Sequence, residues 1–344
     1  MNRKLFLSNM VGLLGVKELS AHDLTHLTAG NTEEDAPLRI PPYLQPGDKI
    51  GISSPAGYIT TEDIQPAVLQ LKDWGLEPVI GSTIGKRDFT FGGPDEERRM
   101  DFQQLLDDHS IKAILCARGG YGIVRIIDQL DFSQFKKNPK WIIGFSDVTV
   151  LHNHVHQHCN VATIHSKMCN SFPADRSLAE PDQKKSIESI RQCLFNEKVD
   201  YEIPVSSFNR TGTATAQLIG GNLKTIESLS GTASDISTRN KILFIEDTGE
   251  YLYSIDRMFW NLKRTGKLDE LKGLIIGGFK IKKDDEGEEF GKTLEQIVLE
   301  KVKDFNYPVC FGFPVGHQKL NMAIACGMVH RLEVSAGKVS LTTQ

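Results

Sequence analysis

At 344 residues the chain has room for two domains with cores of their own, and its 40% apolar and 24% charged residues are those of an ordinary globular protein. A net charge of −4, with Lys and Arg scattered rather than striped, gives no sign of a nucleic-acid or membrane partner. No run approaches the ~20 apolar residues of a transmembrane helix. The six cysteines (116, 159, 169, 193, 310, 326) show no CxxC spacing and read as buried thiols rather than a disulfide framework.

The N-terminus admits two readings. Asn2-Arg3-Lys4 precedes an apolar stretch from Leu5 to Leu14, and Leu19-Ser20-Ala21 is a candidate cleavage site. Ser8 and Asn9 interrupt the stretch, and Lys17-Glu18 falls where a processing region should be neutral. The expectation is a cytoplasmic protein; periplasm or cell envelope is the alternative if the segment is a signal. Residues 22–38 read as a polar lead-in.

The core is expected to begin after Pro41-Pro42. Lys49–Gly57 reads as a short strand ending in a Gly/Pro turn. Thr61–Trp74 has helical spacing, with Gly75 as its stop. Leu76–Ile80 reads as a strand, Asp95–Asp107 as a helix, Ile111–Cys116 as a buried strand and Gly122–Leu130 as a helix. Trp141–Gly144 is another strand and Val148–His158 another helix. This alternation predicts an α/β fold with a parallel sheet covered on both faces, and ligands on such sheets bind at the carboxyl ends of strands. Residues 167–210 read as a connection with one helix, Gln183–Phe195. Thr213–Ile219 and Lys241–Ile245 are strand-like, Tyr251–Arg264 helical, Leu274–Phe279 apolar and Leu294–Phe305 helical. Short strands over 308–311, 322–326, 330–335 and 338–342 close a second, smaller, β-rich α/β domain.

Several constellations could carry chemistry. In Trp141-Ile-Ile-Gly-Phe-Ser-Asp-Val-Thr149 a serine follows an apolar strand and opens a helix, which is how a nucleophilic hydroxyl is presented. Gly144 suits a tight turn, but Val148 stands where the usual elbow has glycine. The plainer reading makes Ser146 a helix N-cap. Arg118-Gly-Gly-Tyr-Gly122 is a strand-to-helix loop open to a phosphate, a carboxylate or an oxyanion, or simply a tight turn. Glu246 and Asp247 end an apolar strand. Asp247 reads as a cap for the following helix, and Glu246 points inward with Phe244. His317 follows a Pro/Gly loop and suits acid–base work, although such histidines are often only solvated. His152, His154, His156 and His158 suggest a metal site. Their spacing lets at most two share an ion, so a half-exposed helix face is favoured. His165 reads as a strand-end residue near the Ser146 turn.

Taken together these motifs become specific. Gly51-Ile-Ser-Ser-Pro-Ala-Gly57, Ala117–Gly122, Ile143–Thr149, Ile219-Gly-Gly-Asn-Leu223, Phe244–Asp247, Ile255-Asp-Arg257 and Phe313–His317 occur in one order that closely resembles the LD-carboxypeptidase (muramoyltetrapeptide carboxypeptidase) family of serine peptidases. The resemblance runs from about residue 45 to 342. It implies a flavodoxin-like nucleophile domain (41–170), a connection (171–210) and a C-terminal domain supplying acid and base (211–344), with the site in the cleft between them and residues 1–40 outside. It implies Ser146 as nucleophile, Glu246 as acid and His317 as base, with an oxyanion hole from the amides of Asp147 and Gly120.

The implied substrate is a peptidoglycan tetrapeptide that loses its terminal D-alanine in cell-wall recycling, with no metal or cofactor required. Its free carboxylate calls for a cation; Arg118 is the candidate, with Tyr121 beside it, although Arg118 serves equally to hold its turn. The family is commonly dimeric, so a homodimer is expected, but no residue here marks an interface. One departure is His165-Ser-Lys-Met168, where many relatives have His-Gly-Pro-Met; another is the connection Phe172–Glu180. A triad split between domains implies that hinge opening would separate Ser146 from His317 in a ligand-free structure. The rival readings are a peptidase conferring immunity to peptidyl-nucleotide antibiotics, with Phe172 as the nearby aromatic for a nucleobase; a non-catalytic module binding an anion at Arg118–Gly122; and a metal-dependent hydrolase using the histidines.

Overall fold

A computed structural model of the chain describes residues 37–344; the candidate signal stretch and nearly all of the lead-in lie outside them. In chain order the first half contains β1 (Lys49–Ser53), α1 (Thr61–Asp73), β2 (Glu77–Ile80), α2 (Asp95–Asp107), β3 (Ile111–Cys116), α3 (Ser133–Lys137), β4 (Trp141–Gly144), α4 (Thr149–Cys159), β5 (Thr163–His165) and α5 (Pro181–Leu194). Helix α1 starts on a capping box, in which Thr60 Oγ1 accepts the Asp63 N–H, and it is followed by Gly75 at φ +81°. Strands β1 to β5 are all parallel, in the order β2-β1-β3-β4-β5. That is the flavodoxin-like order, whose switch point lies between β1 and β3.

The continuous apolar runs of β3 and β4 follow from cover on both faces. Ala113 and Leu115 face one way, onto Ile64, Val68 and Leu71 of α1 and Ile187 and Ile190 of α5. Ile114 and Cys116 face the other way, onto Phe102 and Leu105 of α2 and Leu151 and Val155 of α4.

The second half adds β6 (Gly212–Asn222), α6 (Leu223–Ser228), β7 (Ile242–Glu250), α7 (Leu252–Arg264), β8 (Gly273–Ile281), α8 (Leu294–Lys301), β9 (Val309–Gly316), β10 (Ile324–Cys326), β11 (Val329–Val334) and β12 (Val339–Thr343). Its sheet runs β12-β11-β6-β7-β8-β9, with β6 to β9 parallel and β11 and β12 antiparallel.

Four differences from the sequence reading matter. Residues 122–130 form two one-turn 3₁₀ helices, Ile123–Arg125 and Ile127–Gln129, instead of one helix. Four β-branched residues among Ile123 to Ile127 weaken α-helix there, and Gly122 at φ +142° belongs to the loop before it. Helix α5 begins at Pro181, a first-turn position proline favours. The short helices α3 and α6 carry too little periodicity to be read. Strand β10 leaves the C-terminal half and pairs antiparallel with β5, Ile324 opposite His165.

Buried Arg98 of α2 staples the loops at the carboxyl ends of these strands. Its guanidinium donates to the carbonyls of Pro55, Gly93 and Gly122 and pairs with Asp95. Arg98→Met is expected to leave those buried acceptors unpaired and to lower stability by about 3–5 kcal/mol. A clearly lower urea midpoint with an unchanged m-value would show this; an unchanged midpoint would refute the staple.

Candidate active site

Ser146 follows β4 at φ +63°, a left-handed conformation rare for a residue with a side chain. It is not a helix cap: Val148 holds the N-cap position of α4, and Ser146 lacks the extended backbone that capping uses. The turn is tight because Gly144 has no side chain. A Cβ there would lie 2.8 Å from Val148 Cγ2, so valine fills the space that the usual elbow leaves open by a second glycine.

The Gly-rich loop passes directly against this turn. A Cβ on Gly119 would lie 3.0 Å from Ser146 Cβ and 3.2 Å from its Oγ. The Gly119 carbonyl accepts the Gly57 N–H at 2.9 Å. A trans peptide therefore turns the Gly120 N–H the opposite way, away from Gly57. Among the described residues, neither the Gly120 nor the Asp147 N–H has a backbone acceptor.

The Asp147 side chain ties the turn to the loop by accepting the Ile123 N–H at 2.9 Å. Burial pushes its carboxyl up to about 6, against the pull of the Ile123 and Gly122 amides and Arg98. A carboxyl raised in the folded state costs stability while it is charged, above about pH 6, and the cost disappears as pH falls below the unfolded value of 3.8. Wild type should therefore gain about 2–3 kcal/mol on Asp147→Asn between pH 7 and pH 4. Urea melts of both proteins across that range test it, and a constant difference would show that Asp147 does not titrate there.

Glu246 lies in β7, fully buried, and its Oε2 accepts from His317 Nδ1 at 2.6 Å and from the His317 backbone N–H at 3.1 Å. A carboxylate on Nδ1 fixes the proton there and leaves Nε2 as the acceptor. The His317 ring packs on Phe145, the residue before Ser146, with ring centres 4.8 Å apart. No hydrogen bond joins Ser146 Oγ to His317 Nε2 among the described residues. His317 sits between β9 in the second sheet and β10, which is paired into the first.

Contacts between the two halves beside Ser146 were not legible. Thr149 Oγ1 accepts the Asn222 N–H at 3.1 Å, and a Cβ on Gly221 would lie 2.5 Å from that oxygen. The threonine of the serine motif and the Gly-Gly-Asn motif thus form one junction, for which the only sequence signal was their co-occurrence.

Other candidates fall elsewhere. Asp247 caps α6 rather than the helix that follows it. It accepts from the Lys224 N–H at 3.0 Å and from Asn222 Nδ2 at 2.9 Å, and burial raises its carboxyl to about 6. Exposed Arg118 donates to the Tyr58 carbonyl at 3.0 Å and lies over the Tyr58 ring, which is the turn-holding role. Tyr121 is half exposed on the rim beside Phe91. His152 is interior, whereas His154, His156 and His158 are part-buried along the expected half-exposed face; burial lowers His152 and His156 each to about 4. The rings of His154 and His158 lie 4.4 Å apart, tilted at 41°, and they bond to Ser234 Oγ and the Ala233 carbonyl. Among the described residues, no group of three or more His, Cys, Asp or Glu could hold a metal. Phe172 is 6% exposed and packs toward Trp74, so it offers no face to a nucleobase. His165 is fully buried between Phe145 and Phe244, and burial holds it well below its usual range.

A hydroxyl on a strained turn, free amides beside it and a carboxylate-bound histidine on the adjoining ring define a class, the serine-type hydrolases. The chain belongs to the LD-carboxypeptidase family: residues 50–166 match the model of its N-terminal domain and residues 215–332 that of its C-terminal domain. It is 33% identical to a probable murein peptide carboxypeptidase of Bacillus subtilis, over 83% of this chain and 89% of that one. It is 28% identical to the murein tetrapeptide carboxypeptidase of Pseudomonas aeruginosa, over 84% and 94%. Among solved structures, muramoyltetrapeptide carboxypeptidase from Oxalobacter formigenes superposes with a TM-score of 0.75 at 27% identity, covering 86% of this chain and 98% of that one. The microcin C7 self immunity protein MccF gives 0.78 at 24% identity, over 90% and 98%, a likeness of fold.

Proposed function

We propose that this carboxypeptidase removes the terminal D-alanine from peptidoglycan tetrapeptides, using Ser146, His317 and Glu246, as a cytoplasmic step in cell-wall recycling. One observation carries the residue roles: His317, held by Glu246 at 2.6 Å, packs on the ring that precedes the strained serine. His317 Nε2 takes the Ser146 proton as Oγ attacks the amide carbon. The amides of Asp147 and Gly120 hold the oxyanion, each worth about 3 kcal/mol. Glu246 fixes the imidazole and stabilises its charged form. His317 then gives the proton to the departing D-alanine nitrogen. Water, deprotonated by His317, cleaves the ester and releases the tripeptide.

The names of the murein-peptide relatives support this substrate, and the buried Phe172 disfavours the nucleotide-peptide alternative. Among the described residues no helix is long and apolar enough to cross a membrane. The test is D-alanine release from L-Ala-γ-D-Glu-meso-diaminopimelate-D-Ala, with and without EDTA. Release that survives EDTA is expected. An intact tetrapeptide, with the lysine-type peptide also intact, would overturn the reading.

A further inference from the structure

The expected cation, Arg118, is engaged with Tyr58, so the substrate's carboxylate needs another partner. Lys167 is the candidate that also bonds beside His317. It stands within the stretch that departs from the family's usual His-Gly-Pro-Met. Its ammonium donates to the carbonyl of Gln318, the residue after His317, at 3.0 Å. It also lies 5.8 Å from the centre of the Phe145 ring, on which His317 packs. Lys167 is part-buried, and no carboxylate lies within ion-pairing distance of it among the described residues. Burial and the charge of Lys280 push its pKa down; Glu246, which pulls the other way, is already bound by His317. An ammonium has three donors, and one carbonyl leaves two of them for a ligand or solvent.

Lys167 also lines a cavity of about 330 Å³, together with Ser171, Glu180, Asp182, Gln183 and Lys319, with room for an amino-acid residue. The leaving nitrogen must meet His317. In a departing amino acid the carboxylate carbon is two bonds from that nitrogen, so it stays close to His317, whose neighbour Gln318 holds the Lys167 ammonium.

We propose that Lys167 receives the terminal α-carboxylate of the departing D-residue and so restricts cleavage to the last residue of the chain. This rests on the carboxypeptidase reading above. A peptide that continues past the fourth residue, or ends in an amide, has no such charge to offer.

The experiment compares kcat and KM for wild type, Lys167→Met and Lys167→Arg. The substrates are the diaminopimelate tetrapeptide, the same peptide ending in D-alaninamide, and the lysine-type tetrapeptide. Wild type should favour the acid over the amide by roughly 10- to 100-fold, the range of one charged hydrogen bond. Lys167→Met should bring that ratio close to one, chiefly through KM, and Lys167→Arg should keep most of it. An unchanged acid-to-amide ratio in Lys167→Met overturns the proposal. So does a loss that tracks the third residue's side-chain carboxylate instead. Wild type that releases nothing from any of the peptides strikes down the carboxypeptidase reading itself.

Discussion

Ser146→Ala is expected to lower kcat for D-alanine release by roughly 10⁵- to 10⁶-fold while the protein folds normally. In the proposed mechanism this hydroxyl forms the ester, and no other hydroxyl occupies the strained turn against the Gly119 loop. Alanine removes one oxygen from a half-buried position, so stability should change little. Relief of the φ +63° strain is not expected, because alanine carries the same Cβ. The residual rate should reflect binding and the two amides alone. Paired measurements of kcat and of the urea midpoint separate lost chemistry from lost structure. A variant retaining more than about a hundredth of the activity would remove Ser146 from the role of nucleophile.

Glu246→Gln carries the second largest expected effect, a fall in kcat of about 10⁴-fold. The carboxylate accepts two hydrogen bonds from His317, one from the ring and one from the backbone. An amide in its place can present its NH₂ group to Nδ1, which favours the tautomer whose Nε2 carries the proton. That tautomer cannot take the serine's proton. Its other oxygen, Oε1, has no partner among the described residues, so the pair rests on Oε2 alone. The loss should fall on kcat with KM nearly unchanged, since Glu246 is fully buried behind His317. A drop of less than tenfold would mean that His317 is oriented by something else.

Much of this arrangement was legible, for physical reasons. The runs Ile111–Cys116 and Trp141–Gly144 had to be interior strands, because a sheet covered on both faces has no polar side. Glu246 could be placed by alternation with Phe244, and its burial agrees with that. The seven motifs in order pointed to Ser146, Glu246 and His317, although no spacing argument alone chose them over capping or solvated roles. What could not be read depends on contacts distant in sequence. Strand β10 is three residues long and pairs across the molecule with β5. Asp247 caps a helix that precedes it in the chain, and that helix, α6, was too short to predict. Arg98 looks like any polar helix residue until the three loops it staples come together. Arg118 and Lys167 could not be ranked as cations without knowing that Tyr58 engages the first and that the second lies over Phe145, beside Gln318.

Partitioning of the acyl group tests the central claim most directly. Tetrapeptides ending in D-alanine and in D-serine are turned over in the presence of hydroxylamine, and the ratio of tripeptide hydroxamate to tripeptide acid is measured for each. A common ester on Ser146 predicts the same ratio from both, because the leaving residue has gone before the nucleophile chooses. Ratios that differ with the leaving residue would show direct attack on the peptide bond and contradict the account.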